Sequence, residues 1–195
     1  RNPMNTSNNQ KYKDTECKIE TALLKLCTSY PPNKITVIQI CSEANINRST
    51  FYAHYLDIPD LIQKTGKRHI HNMMTFFQHE EDIIGFFVNH EKLLHLLTYL
   101  KENKEFFHIY VNYSSYEQLH KSFSKLWEHG AREYMKEIGL TDEDDMKYYF
   151  SFFEAGFFSL IGKWLSLGCA DTPEHIGKIL LNSIPSHTVP ADQVV

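Results

Sequence analysis

Apolar residues recur at intervals of three and four along most of the chain, the spacing that places them on one face of an α-helix. A first stripe of this kind covers residues 19–30 and ends at two consecutive prolines. No sustained alternation with a period of two occurs, so the pattern predicts an all-α protein of about nine helices. The best later segments are Glu91–Leu100, Lys104–Tyr113, Tyr116–Ile138, Asp142–Leu167 and Pro173–Ile184.

Two short helices are predicted directly after the prolines. Thr36 and Gln39 have the spacing of a capping box, in which each side chain accepts a hydrogen bond from a free backbone N–H. Asn45 follows the first short helix and tolerates the left-handed turn of a helix end. Asn47 is predicted to cap the second short helix, and Asp57 the long helix that follows. Two short helices joined by a tight turn, between longer ones, form a helix-turn-helix layout.

The ends of the later helices carry similar signals. Gly139 and Gly168 are predicted to end helices in the left-handed conformation. Thr141 and Thr172 are predicted to cap the helices that follow these glycines.

The second short helix combines an apolar face with a polar one. Phe51 and Tyr55 are four residues apart and therefore share one face, as buried anchors would. Its N-terminal end carries unpaired backbone N–H groups and Arg48, which suits a phosphate or a guanine edge in a major groove. An ordinary capped surface helix would give a similar pattern. The residues expected to contact DNA are Thr36, Asn47, Arg48, Ser49, Thr50, Tyr52, Ala53 and His54.

The stretch ITVIQICSEANINRSTFYAHYLDIPDLI, residues 35–62, resembles the DNA-binding signature of the TetR/AcrR family of bacterial transcription regulators. It departs from that signature at Asn45, where the family usually has Gly, and at Ile58, where many members have a phosphate-contacting Lys. A second stretch, residues 148–180, is more loosely similar to a C-terminal domain of one TetR-like subgroup.

The resemblance implies a two-domain helical protein. Residues 14–60 would form a three-helix DNA-binding head, and residues 61–195 a larger ligand-sensing and dimerisation domain. Independently of the resemblance, the polar composition of residues 1–13 predicts a disordered tail or a remnant of cloning. The resemblance also implies a cavity for an effector in the second domain. The candidate lining residues are Phe76, Phe77, Phe106, Phe107, Tyr110 and Tyr113, although such aromatic residues are more often plain core.

The segment 148–167 is apolar nearly all round, which requires burial on several sides. A second subunit is the expected partner, and an internal core helix is the alternative. The side chains predicted to form this dimer interface are Phe153, Phe157, Leu160, Ile161 and Trp164.

Charge is distributed unevenly along the 195 residues. The first 70 residues carry 10 basic and 6 acidic side chains, a balance of +4, and the remaining residues carry 10 and 18, a balance of −8. A basic front favours contact with a polyanion, although a balance of this size also arises by chance.

Other classes of protein find little support in the sequence. The four cysteines form no CxxC pair and are expected to be buried free thiols in a reducing cytoplasm. The histidines lack ligand spacing, and the HExxH, GxSxG, GxGxxG and P-loop motifs are absent, so neither a metal, a cofactor nor an enzyme is predicted. No apolar run is long enough to predict a membrane span.

These observations favour a homodimeric repressor that binds a palindromic operator in double-stranded DNA and is released by an effector. One alternative is a coactivator-type protein whose C-terminal domain docks a protein partner. A weaker alternative is a small-molecule-binding helical protein with a degenerate head.

Overall fold

The structure is a computed structural model, which describes residues 3–75 and 90–183. These ranges contain nine α-helices, one 3₁₀ turn and no strand, so the predicted all-α class is confirmed. A 3₁₀ turn at Pro32–Lys34 follows α1. The helices are α1 Pro3–Cys27, α2 Val37–Glu43, α3 Arg48–His54, α4 Ile58–Met74, α5 His90–Glu102, α6 Lys104–Tyr113, α7 Tyr116–Glu137, α8 Glu143–Ser166 and α9 Pro173–Ser183.

The helix ends around the tight turn follow the predicted signals. The Gln39 N–H donates to Thr36 Oγ1 at 3.3 Å, and the Thr36 N–H donates to Gln39 Oε1 at 2.8 Å, which completes the capping box of α2. Asn45 has a φ of 52°, the left-handed conformation that ends α2. The Asp60 N–H donates to Asp57 Oδ1 at 2.8 Å at the start of α4.

One of the caps predicted for the later helices was wrong. Gly139 and Gly168 have φ values of 87° and 67°, as predicted, and Thr172 Oγ1 accepts from the His175 N–H at 3.3 Å. The cap of α8 is Asp142 and not Thr141, because the Asp142 carboxylate accepts from two backbone N–H groups, those of residues 144 and 145. A carboxylate can also stabilise the positive end of the helix, which a hydroxyl does less well.

The chain packs as two compact units, residues 1–68 and residues 69–195. The predicted boundary lay after residue 60, and the difference arises within α4. Leu61 and Thr65 on this helix are fully buried. Arg68 pairs with Glu16 at 3.4 Å and also with Glu20, both on α1. The first part of α4 therefore belongs to the first unit.

The structure also differs from the predicted N-terminal tail, because α1 already begins at Pro3. Local contacts support this part of the helix. The Gln10 side chain donates to Asp14 Oδ1 at 2.8 Å, one helical turn away. The ring of Tyr12 stacks on His54 of α3, with the ring centroids 3.9 Å apart. The low apolar content of residues 1–13 gave no helical signal, although the structure has a helix there whose Tyr12 ring contacts α3.

The second unit is built from helix pairs. The main pairs are α5 with α9, α6 with α8, and α7 with α8. Small residues permit two of these approaches. A Cβ placed on Gly177 of α9 would lie 3.4 Å from Leu97 of α5, and one on Gly162 of α8 would lie 3.4 Å from Val111 of α6.

Helix α8 has one buried face and one exposed face, which corrects the predicted dimer interface. Phe157, Ile161 and Trp164 are at most 4% exposed and lie in the core of their own unit. Phe153 and Leu160 lie at the edge of that face and are half-buried. The opposite face, called here the α8 stripe, is exposed; it consists of Tyr148, Phe152, Ala155, Gly156 and Ser159.

Across residues 3–75 and 90–183, no helix combines the length and the apolar character that crossing a bilayer requires.

Candidate nucleic-acid interface

Asn47 organises the N-terminal end of α3. Its Oδ1 accepts three hydrogen bonds, from the Thr50 N–H at 2.7 Å, the Ser49 hydroxyl at 2.7 Å and the Thr50 hydroxyl at 2.8 Å. The amide oxygen is therefore fully occupied within the protein. The two hydroxyls keep their lone pairs, which can accept hydrogen bonds from an external donor such as a base amino group.

Arg48 and Tyr52, one turn apart, form a pair on the outside of α3. Arg48 Nη2 donates a hydrogen bond to the Tyr52 hydroxyl oxygen at 3.3 Å, and the guanidinium lies 5.8 Å from the centre of the Tyr52 ring. Tyr52 is 48% exposed. The ring limits the positions of the guanidinium, while most of its donors remain directed to solvent.

The outer face of this region is polar and accessible. The predicted contact residues that are exposed on it are Thr36, Asn47, Arg48, Ser49, Tyr52 and Ala53, with Thr50 half-buried beside them. The small side chain of Ala53 leaves room for another surface to approach the helix closely.

His54 lies differently from the prediction. Its side chain is only 8% exposed, its ring is covered by Tyr12, and its Nδ1 has no hydrogen-bond partner in the described part of the chain. Burial lowers the pKa of His54 below its ordinary value, so the neutral form is favoured. His54 therefore packs α3 against α1, and its side chain is not exposed with the other predicted contact residues.

The inner face of α3 anchors the helix in the core of the first unit. Phe51 is fully buried and Tyr55 is 1% exposed, as their spacing predicted. They pack in the same core as Leu23, Ile40 and Leu61, which come from the three other helices of the unit. The outer face is consequently held on a rigid support.

The charge of the first unit favours an anionic partner. Three of its six carboxylates, those of Glu16, Glu20 and Glu43, are paired with Arg68 or Lys25. Asp60 is paired with Lys64 at 3.0 Å. These pairs satisfy the acidic side chains internally, and the balance of +4 remains over the unit.

The predicted pocket residues in the second unit are mostly core. Phe106, Phe107 and Tyr110 are at most 1% exposed, whereas Tyr113 is 47% exposed. Phe76 and Phe77 lie outside the described residues. Phe107 and Tyr110 do line an apolar cavity, but its volume is about 10 Å³. That volume holds about one water molecule and not an organic effector.

Sequence reasoning missed a buried carboxylate in α8. Glu154 is 1% exposed and accepts hydrogen bonds from the Tyr116 hydroxyl at 2.7 Å and from His120 Nδ1 at 2.8 Å. The only charged residue within FFEAGFF, residues 152–158, was the signal that could have revealed it. The Tyr116 side chain is 51% exposed, but desolvation of its hydroxyl and the hydrogen bond to Glu154 raise its pKa to about 12. Among the described residues, no three metal-ligating side chains converge.

Comparison with known families gives a direct result for the second unit. Residues 89–186 match the TetR model described as a transcriptional regulator C-terminal region, which is half of the chain. The chain belongs to the TetR family of transcriptional regulators. No protein with a curated description matches the sequence significantly.

Several solved structures of transcription regulators share the fold of this chain. A TetR transcriptional regulator from Streptococcus agalactiae is 22% identical, with a TM-score of 0.63 and coverage of 91% of this chain and 97% of that one. The dihydroxyacetone kinase operon activator DhaS is 18% identical, with a TM-score of 0.57 and coverage of 86% and 92%. The fatty acid degradation regulator FadR from Bacillus halodurans is 13% identical, with a TM-score of 0.58 and coverage of 89% and 97%.

Proposed function

We propose that this TetR-family protein regulates transcription by placing α3 in the major groove of an operator. The observation that carries the proposal is the division of α3 into two faces. Phe51 and Tyr55 are buried, whereas Arg48, Ser49 and Ala53 are exposed on the other side. A short helix with this division is held rigidly while its outer face meets base edges.

Each exposed side chain has a chemical role in this proposal. Arg48 can leave the Tyr52 hydroxyl and donate two hydrogen bonds to a guanine edge. Ser49 and Thr50 can accept from base amino groups, because their protons are directed to Asn47. Thr36 and Tyr52 suit phosphate oxygens, which fix position without carrying sequence information.

The protein acts as a homodimer in this proposal. The α8 stripe exposes Tyr148 at 76% and Phe152 at 82%, beside the small residues Ala155, Gly156 and Ser159. A second copy of the same helix would cover both rings, and the small residues would let the two backbones approach. A two-fold dimer would then place its heads on a palindrome with half-sites roughly 34–36 Å apart.

An effector would act by favouring a conformation whose heads no longer match the operator. This gives a repressor that releases DNA when the effector binds. Repression, as opposed to activation, is part of the proposal, since DhaS, which shares the fold, is named an activator.

A second candidate function keeps α3 on DNA but replaces the small effector with a protein partner. The apolar space of about 10 Å³ among Met73, Leu96, Tyr110 and their neighbours holds about one water molecule, so this cavity by itself is not an effector site. A protein docked on the second unit would take the place of a small ligand, as in the coactivator alternative. Screening calorimetry with small molecules, alongside purification of stable protein complexes, separates these two modes of control.

The test of DNA binding uses paired variants. We expect Arg48→Ala to lose about 1–3 kcal/mol of binding free energy at one base position of the operator, with folding intact. Tyr52→Phe should weaken binding to all sequences about equally, because a phosphate contact is not specific. The matched control is Arg132→Ala, since Arg132 is an exposed arginine of the second unit paired with Glu143 at 2.8 Å.

The measurement is affinity for specific and random duplexes at one fixed salt concentration, with melting temperature as the check on folding. Unchanged affinity in both Arg48→Ala and Tyr52→Phe would show that α3 does not contact DNA. The protein would then be the remaining alternative, a helical ligand- or partner-binding module with a degenerate head.

A further inference from the structure

The N-terminal part of α1 is fixed to the end of the α3 helix. The Tyr12 ring stacks on the His54 ring with 3.9 Å between centroids and 27° between planes. His54 is the last residue of α3, and its ring is buried beneath this contact. Residues around Tyr12 therefore have a defined position relative to the exposed face of α3.

The dimensions of α3 bring this contact close to any DNA that the helix meets. The helix has seven residues, which gives a length of about 10 Å. A major groove is about 12 Å wide, so a helix of this length that lies in it as proposed has both ends near the phosphates that border the groove. In that placement an element attached to His54 would lie at the edge of the same groove.

The charge of this element complements phosphate. Lys11 and Lys13 flank Tyr12 and are exposed, and residues 1–13 contain no carboxylate. The first acidic side chain, Asp14, accepts a hydrogen bond from Gln10. The next two, Glu16 and Glu20, are paired with Arg68. The lysines thus extend the positive potential of the first unit beyond α3.

We propose that Lys11 and Lys13 bind the phosphate backbone of duplex DNA next to the base pairs that α3 faces, with the Tyr12–His54 stack as the positioning contact. The proposal rests on the proposed function, since it requires α3 to meet DNA. It adds a second contact surface on α1, and it gives the buried His54 a role in locating that surface.

The test measures the salt dependence of binding to a random-sequence duplex by fluorescence anisotropy. Each phosphate contact contributes about 0.9 to the slope of log affinity against log salt. The double variant Lys11→Gln/Lys13→Gln should therefore reduce the magnitude of the slope by roughly 2 per bound head. The control is Lys101→Gln/Lys104→Gln, which removes the same charge from the second unit and should leave the slope unchanged.

The stack is tested separately. Tyr12→Ala should lower affinity for the random duplex and reduce the slope in the same direction, because the lysines lose their fixed position. Tyr12→Phe keeps the ring and should behave as the wild type. Circular dichroism at the assay temperature confirms that each variant is folded.

Two failures are distinguishable. If the wild type binds duplex DNA and Arg48→Ala weakens binding to the operator, but the double lysine variant keeps the wild-type slope on the random duplex, the α1 contact is overturned and the proposed function stands. If the wild type shows no salt-dependent binding to duplex DNA, both proposals are overturned.

Discussion

The surfaces of the two units of this TetR-family protein differ in charge and in the kind of side chain they expose. The first unit carries a balance of +4 and exposes polar side chains around α3, whereas the rest of the chain carries −8 and exposes the aromatic rings of the α8 stripe. A polar, positive surface suits a hydrated polyanion, and an aromatic surface beside small residues suits another protein surface. We therefore expect each unit to contact a different kind of partner, as proposed above.

The units also differ in where their aromatic residues lie. In the first unit, Phe51 and Tyr55 are buried and give the small core much of its volume. In the second unit, Phe107 and Phe157 are buried while Phe152 is 82% exposed. An exposed ring contributes little to the stability of its own unit, so its effects should appear in association instead.

The largest effect on stability is expected in the core of the head. Phe51→Ala should lose about 3–5 kcal/mol of unfolding free energy, because it opens a cavity in a small core. Phe152→Ala is the matched control and should change unfolding by less than about 0.5 kcal/mol, since surface substitutions rarely exceed that. Denaturant unfolding of both variants measures the contrast. Equal losses of unfolding free energy in the two variants would contradict the assignment of Phe51 to the core and Phe152 to the surface.

The next prediction concerns association through the α8 stripe. Phe152→Glu should weaken the proposed dimer by at least about 10-fold, or 1.4 kcal/mol, because it places a charge in an apolar contact. Thr98→Glu, at an exposed position of α5, is the control. Sedimentation velocity at micromolar concentration measures the mass. A wild-type chain that sediments as a monomer contradicts the proposed dimer. Ile161→Glu, at a buried position of α8, should unfold the second unit and not merely weaken association.

A smaller effect is expected at the cap of α2. Thr36→Ala should lose about 1 kcal/mol of stability, because it removes the acceptor for the Gln39 N–H. If Thr36 also contacts phosphate, affinity for random DNA should fall as well. Thr98→Ala tests for a general effect of removing an exposed threonine. A melting temperature that Thr36→Ala leaves unchanged would contradict the stabilising role of the capping box.

The smallest effect is expected at alkaline pH in the second unit. The folded-state pKa of Tyr116 is about 12, above its ordinary value of 10.0. The neutral hydroxyl is favoured by the fold, so its stabilisation is present below pH 10 and is lost as the pH rises toward 12. Tyr116→Phe should therefore reduce the loss of stability over that window, measured by unfolding at several pH values. Tyr148→Phe, at an exposed tyrosine, should leave the window unchanged.

Much of this fold could be predicted from the sequence, because its signals are local. The capping box of Thr36 and Gln39, the left-handed Asn45 and the cap at Asn47 depend on residues within a few positions of one another. The periodicity also located α5–α9 to within about two residues, since an apolar face follows from the helical repeat itself. The division of α3 into Phe51 and Tyr55 on one side and Arg48 and Ser49 on the other follows from the same repeat.

Other features depended on which elements meet. Periodicity could not choose the buried face of α8, because apolar residues lie on nearly all sides; the packing of α6 and α7 decided that Phe157, Ile161 and Trp164 face inward. His54 appears polar and accessible in the sequence, but Tyr12, distant in the chain, covers it. Likewise, Glu154 is stabilised by Tyr116 and His120 from another helix. The sequence alone determined where the helices begin, end and turn, since those interactions close within a few residues. Only the tertiary structure decided which side chains remain exposed, because burial depends on residues far apart in the chain.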